Sequence, residues 1–119
     1  MRILLDTNFL VFAAMKKVRI FAEFKGNDVY TLDVVEKELA KLANGNSEDA
    51  AAARLAIRLL KAKKIKALKS QEREADDELV RRSKAGYAVA TQDRALRERV
   101  KKSGGKVIFI RQGRYVMPE

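Results

Sequence analysis

Apolar and polar positions along the chain fall into two alternating kinds of segment. Short apolar runs without helical period stand at RILL (2–5), VYTL (29–32), KIKAL (64–68), YAVAT (87–91) and KVIFI (106–110), and each reads as a strand. Segments with helical spacing lie between them. FLVFAAMKKVRIFAEF (9–24) reads as one helix and its continuation, closed by the turn Gly26-Asn27-Asp28. Asp33 offers an N-cap oxygen with Glu36 three residues on, a capping-box start for a helix that runs to about Ala43 and stops at Asn44-Gly45. Ser47 caps an alanine-rich helix reaching about Ala62. Glu74 to Lys84 is helical and ends at Gly86, and Arg94 to Lys102 is helical and ends at Gly104-Gly105. Strands separated by helices predict an α/β domain whose parallel sheet is covered on both faces. No linker, low-complexity block or internal repeat interrupts the 119 residues, so residues 1–119 read as a single domain.

Composition changes this picture in what it removes. At 47% hydrophobic and 35% charged residues the chain reads as a folded globular one. No apolar run approaches the roughly 20 residues that cross a bilayer. Asp6 and Asn8 interrupt what would be the core of a signal peptide, so the expected location is cytoplasmic and no membrane partner is expected. There is no cysteine, which excludes disulfides and thiolate chemistry, and no histidine, which removes the usual general base near neutral pH and the commonest metal ligand. Hydrolytic chemistry here must therefore run on carboxylates, with a hard, oxygen-seeking cation as its natural companion.

The acids that could do this follow the strands. Asp6 comes directly after RILL, and Asp93 follows YAVAT with Gln92 between. In open α/β sheets ligands gather outside the carboxyl ends of the strands, so both side chains are expected at one edge. Each has an alternative reading as a helix N-cap. In VVEKELAKLA, Glu38 falls within the stripe of Val34, Val35, Leu39 and Leu42, where a charge must be paired, protonated or bound. Asp76-Asp77 in EADDELV supplies a fourth source; one of the two must lie near the buried side marked by Ala75, Leu79 and Val80, and periodicity does not say which. Carboxylates crowded in this way repel one another, and Mg²⁺ or Mn²⁺ would relieve the repulsion. Such ions lower the pKa of a bound water and stabilise the leaving oxygen of a phosphodiester.

The formal charge of +10 favours a polyanionic partner, nucleic acid above all. Much of the positive charge is clustered, in RLAIRLLKAKKIKALK (54–69), which has no acid, and in RALRERVKK (94–102). Lys61 and Lys64 belong to a ridge that either grips RNA or forms the wet side of an amphipathic helix. Arg94 and Arg97, close behind Asp93, are placed to meet substrate phosphates, and Arg114 beside Tyr115 suits an unstacked base or anchors the terminus. The phenylalanine-rich first helix covers the sheet or forms a homodimer face.

Taken together, ILLDTN, VVEKELAKL, ADDELV and VATQDRAL resemble the PIN-domain nucleases, and the likeness spans residue 3 to about residue 110. The resemblance implies a Rossmann-like α/β/α sandwich with a central, mostly parallel sheet and a divalent-metal-dependent endoribonuclease using Mg²⁺ or Mn²⁺. It assigns Asp6, Glu38, Asp77 and Asp93 as the catalytic and metal-binding acids, with Asp76 as substitute or helper for Asp77. It gives Thr7, Asn8 and Thr91 the task of orienting carboxylates or waters. The paired Asp, the stretch QDRALRERVKK and the glycine turn before KVIFIR resemble the branch that processes ribosomal RNA, with an rRNA precursor or tRNA as the RNA partner. The other branch, VapC-like toxins, implies a protein antitoxin. Two readings outside the nucleases remain: a non-catalytic RNA-binding module of ribosome assembly, and a small phosphate-binding or receiver-like domain, which the lack of a glycine-rich loop after the first strand disfavours.

Overall fold

Ile3, Leu4 and Leu5 are all buried in strand β1 (Arg2–Leu5), as an unbroken apolar run requires of a central parallel strand covered on both faces. The structure, a computed structural model, describes residues 1–119. On one side of β1 lie β2 (Asp28–Leu32) and β3 (Lys66–Leu68). On the other lie β4 (Ala88–Ala90), β5 (Lys106–Arg111) and β6 (Tyr115–Pro118), giving the order β3-β2-β1-β4-β5-β6. All pairings are parallel except β5 with β6.

Six helices make the connections: α1 (Thr7–Lys16), α2 (Ile20–Glu23), α3 (Asp33–Leu42), α4 (Glu48–Ala62), α5 (Ala75–Lys84) and α6 (Arg94–Lys102). Right-handed crossovers set α1, α3 and α4 together on one face and α5 with α6 on the other. One cluster of 27 buried apolar residues draws on both layers and on the strands between them. The expected α/β architecture is therefore the observed one. No helix is long and apolar enough to cross a membrane. The glycine pair after α6 divides its work: Gly104 turns the chain at φ 83°, while a methyl on Gly105 would come within 2.8 Å of Ser83 Cβ and Val100 Cγ1.

Three local expectations are corrected. The helix over 9–24 is broken after Lys16, because Lys17 adopts a left-handed conformation (φ 56°) and Val18 N–H turns back to Ala13 O at 2.9 Å. Asp33 forms no capping box with Glu36. It is the first residue of α3, and its Oδ1 accepts from the N–H of Val34 and from both the N–H and the hydroxyl of Ser70, tying α3 to the chain beyond β3. The tail RQGRYVMPE, read as a terminus, forms a turn and the antiparallel edge strand β6.

The sheet order fixes where a ligand can sit. The chain builds β1, β2 and β3 outward in one direction and then returns to add β4 on the far side of β1, so strand order reverses between β1 and β4. The crevice at the carboxyl ends of these two strands is the binding position of doubly wound sheets.

Candidate active site

Asp6 stands at that reversal. Its backbone N–H donates to Ala90 O at 3.0 Å, which locks the end of β1 to the end of β4. Its side chain, only 4% exposed, accepts from Thr7 N–H at 2.8 Å on Oδ1 and from the Thr91 hydroxyl at 2.8 Å on Oδ2. Thr91 also accepts the N–H of Asp93 at 3.1 Å, and Asn8 Oδ1 accepts from Gln92 N–H at 2.8 Å. The two strand ends are thus laced together by Thr91 and Asn8. Thr7 donates its hydroxyl to Glu38 Oε2 at 3.2 Å, linking the start of α1 to α3.

Asp6, Glu38, Asp76 and Asp93 line one pocket of about 530 Å³, each from a different element. Asp6 comes from the end of β1, Glu38 from α3, Asp76 from the first turn of α5 on the opposite layer, and Asp93 from the residue capping α6. Asp6 and Asp93 are also N-caps, so the two readings of each hold at once: Asp93 spends Oδ1 on Leu96 N–H at 3.0 Å. Glu38 lies at the exposed rim of the pocket, outside the buried stripe of Val35 and Leu39 where the sequence put it. Asp77 does not join the group. It is paired with Arg99 at 2.9 Å and lines a neighbouring pocket with Glu38 and Asp76, so of the two adjacent acids Asp76 is the one that reaches the pocket of Asp6 and Asp93.

Neither these four carboxylates nor Asp49, which also lines the pocket, has an ammonium or guanidinium within ion-pair distance. Burial, partly offset by the Thr91 and Thr7 hydrogen bonds, raises Asp6 to about 6, and the charges of Asp76 and Glu38 add to it. Glu38 and Asp76 are raised as well, each first by desolvation; the Thr7 hydroxyl opposes the rise in Glu38, the Asp76 charge adds to it, and Asp93 adds to that of Asp76. No three of these acids are gathered tightly enough to enclose an ion by themselves. An all-oxygen donor set with surplus negative charge nevertheless fits Mg²⁺ or Mn²⁺, which keep several waters and need only one or two direct carboxylate bonds.

The family model of the PIN-like domain matches residues 3–113, the span that carries all of these residues. The chain belongs to the PIN-like domain family. A solved structure of a domain of a functionally unknown protein from Methanocaldococcus jannaschii DSM 2661 is similar, with a TM-score of 0.70 at 19% identity, covering 92% of this chain and 91% of that one. At that identity the likeness shows the fold alone. No curated protein matches the chain.

The basic residues of this PIN-like domain divide by position. Arg94 follows Asp93 and is open to solvent, with only a 3.7 Å contact to Glu98. Arg97 is not available to substrate in the way expected: it is 14% exposed, stacked over Phe109 at 4.6 Å and drawn toward Glu119. Lys61 and Lys64 lie at the far end of α4, whose start contributes Asp49 to the acidic pocket and whose last turn leads down to the beginning of β3, ~22 Å away. Arg114 sits in the β5–β6 turn, beside Lys16 of α1: a Cβ on Gly113 would lie 3.4 Å from Lys16 Cδ.

Sequence reasoning missed Gln92, Asp49 and Glu78. Gln92 lines the pocket and uses both ends of its amide on Ile110, donating to the carbonyl at 3.0 Å and accepting from the N–H at 2.6 Å. Glu78 is wholly enclosed, accepting from the N–H groups of Gln71 and Glu72 and from Arg81 and Arg82. Its position three residues after buried Ala75 was the available signal.

Proposed function

We propose that this protein is a divalent-metal-dependent endoribonuclease that hydrolyses RNA phosphodiester bonds at the pocket of Asp6, Glu38, Asp76 and Asp93. The observation that carries the reading is the gathering of these acids, from both layers of the fold, at one sheet edge with no cation within ion-pair distance. Asp6, Asp76 and Asp93 would hold Mg²⁺ or Mn²⁺, with Glu38 at the rim. A bound ion supplies a water activated at neutral pH and charge to meet the developing oxyanion. Thr91 and Thr7 hold Asp6 in one orientation, and Thr7 directs Glu38, so the carboxylates are positioned before substrate arrives. Arg94 is the guanidinium beside the pocket that can meet an RNA phosphate.

Among RNA substrates, a ribosomal precursor is the proposed one, on the resemblance of the ADDELV and QDRALRERVKK segments to the rRNA-processing branch. The test is incubation of rRNA precursor and tRNA with Mg²⁺, Mn²⁺ or chelator. Defined products from the precursor that disappear with chelator are expected. Products from tRNA alone would move the reading to the toxin branch, and salt-sensitive binding without products would leave a non-catalytic RNA-binding module.

A further inference from the structure

The acidic pocket has a second wall that metal chemistry does not use. Val11, Phe12 and Met15 of α1 and Leu42 at the end of α3 form it, lining the pocket along with the carboxylates. We propose that this wall is a nucleobase subsite, in which one unpaired base of the RNA stacks on Phe12 while the adjoining phosphate lies among the acids; the inference rests on the nuclease reading of the same pocket.

Phe9 and Phe12 share a helix and have different fates. Phe9 is fully enclosed and stacks on Phe24 in the core at 6.1 Å. Phe12 remains half-buried at the pocket, one turn from half-buried Met15. Phe12 packs against the core and also lines the pocket beside the carboxylates, a placement suited to a base, whose flat face every nucleotide offers once unstacked. A pocket of about 530 Å³ leaves room beyond what a hydrated ion fills.

Charge agrees with this occupant. Lys16 Nζ lies 5.9 Å from the centre of the Phe12 ring, a cation beside one wall residue of a pocket lined by acidic, apolar and neutral polar side chains. The stem of Lys16 runs beside the β5–β6 turn, where a Cβ on Gly113 (φ 64°) would lie 3.4 Å from Lys16 Cδ. The same turn carries exposed Arg111 and Arg114. A base on Phe12 would therefore have a positive flank for its own phosphate and the acidic group, with its metal, for the next. A base within a duplex cannot offer its face, so the subsite selects unpaired RNA.

The test measures binding of the full chain to a fluorescent single-stranded RNA of mixed sequence, with Ca²⁺ as the divalent ion and the strand confirmed intact afterwards. Identical strands carrying one abasic residue at successive positions, and the matching duplex, are compared. The wild type should lose about tenfold in affinity at one abasic position and at least as much on the duplex. Phe12→Ala should bind the intact strand about tenfold more weakly and lose the position dependence, while Phe12→Tyr keeps both. Should Phe12→Ala not fold, Phe12→Leu, which fills the space without a ring face, should show the same loss. Equal binding of intact and abasic strands by the wild type, or unchanged binding by a folded Phe12→Ala or Phe12→Leu, overturns the subsite. Cleavage by the wild type with Mg²⁺ is read in parallel. Products without base discrimination sink the subsite alone, whereas base discrimination without products supports the subsite and sinks the nuclease reading.

Discussion

Asp6 carries a conflict within one side chain, since it must be buried to hold β1 against β4 and charged to hold a cation. Its carboxyl is raised from 3.8 to about 6 by burial. The folded, metal-free chain therefore binds this proton more tightly than the unfolded one, and its stability falls as pH rises from about 4 to about 6. Above that range the ionised group costs roughly 3 kcal/mol. Asp6→Asn keeps an oxygen for Thr7 N–H and removes the charge. In chelator at pH 8 it should melt several degrees above the wild type, and divalent ions should raise the melting temperature of the wild type by much more than that of the variant. A lower melting point for Asp6→Asn in chelator would mean that the site is not electrostatically strained. At this scale the sequence was legible wherever an acid follows a strand, because strand ends define the edge. It was illegible at Asp76-Asp77, since neighbours on a helix point about 100° apart and only the packing of Arg99 tells which faces the pocket. Arg97 was misjudged for a related reason: helical spacing does not reveal that β5 and the C-terminal residue cover it.

Among the elements, α5 shows how a buried charge can organise a loop. Glu78 gathers the N–H groups of Gln71 and Glu72, together with Arg81 and Arg82, and Arg82 reaches Lys69 O at 2.8 Å, so the segment that delivers Asp76 is tied down along its length. Although burial opposes it, the hydrogen bonds from Arg81, Arg82 and the two amides hold Glu78 down to about 2. This stabilisation is complete above the ordinary carboxylate range near 4.5 and is lost as pH falls toward about 2. Allowing for the water that reaches Arg81, it amounts to about 2 kcal/mol. Glu78→Gln should lower stability by that order at pH 7 and by progressively less toward pH 2 in denaturant melts. An equal loss at both pH values would show that packing, and not charge, is responsible. Strands β1, β2, β4 and β5 could be read in advance because buried, β-branched runs leave little alternative. The break at Lys17 and the strand β6 could not, the first because a lysine occupies a conformation usually given to glycine, the second because an edge strand needs no apolar run.

For the molecule as a whole, a net charge of +10 and an acidic pocket belong to one arrangement. In the proposed reaction positive charge would attract the RNA from any direction, and the pocket would admit a phosphate only with a divalent ion. The ridge of Lys61 and Lys64, at the opposite edge of the sheet, would contribute to the first step and is too distant for the second. The measurement that decides the account compares Mn²⁺-dependent cleavage of ribosomal precursor RNA by the wild type, Asp76→Asn and Asp77→Asn, each with and without chelator. The account predicts chelator-sensitive cleavage by the wild type, a loss of at least a hundredfold, roughly, in Asp76→Asn and near-normal activity in Asp77→Asn. Cleavage that persists in chelator, or survives Asp76→Asn while Asp77→Asn abolishes it, would contradict it.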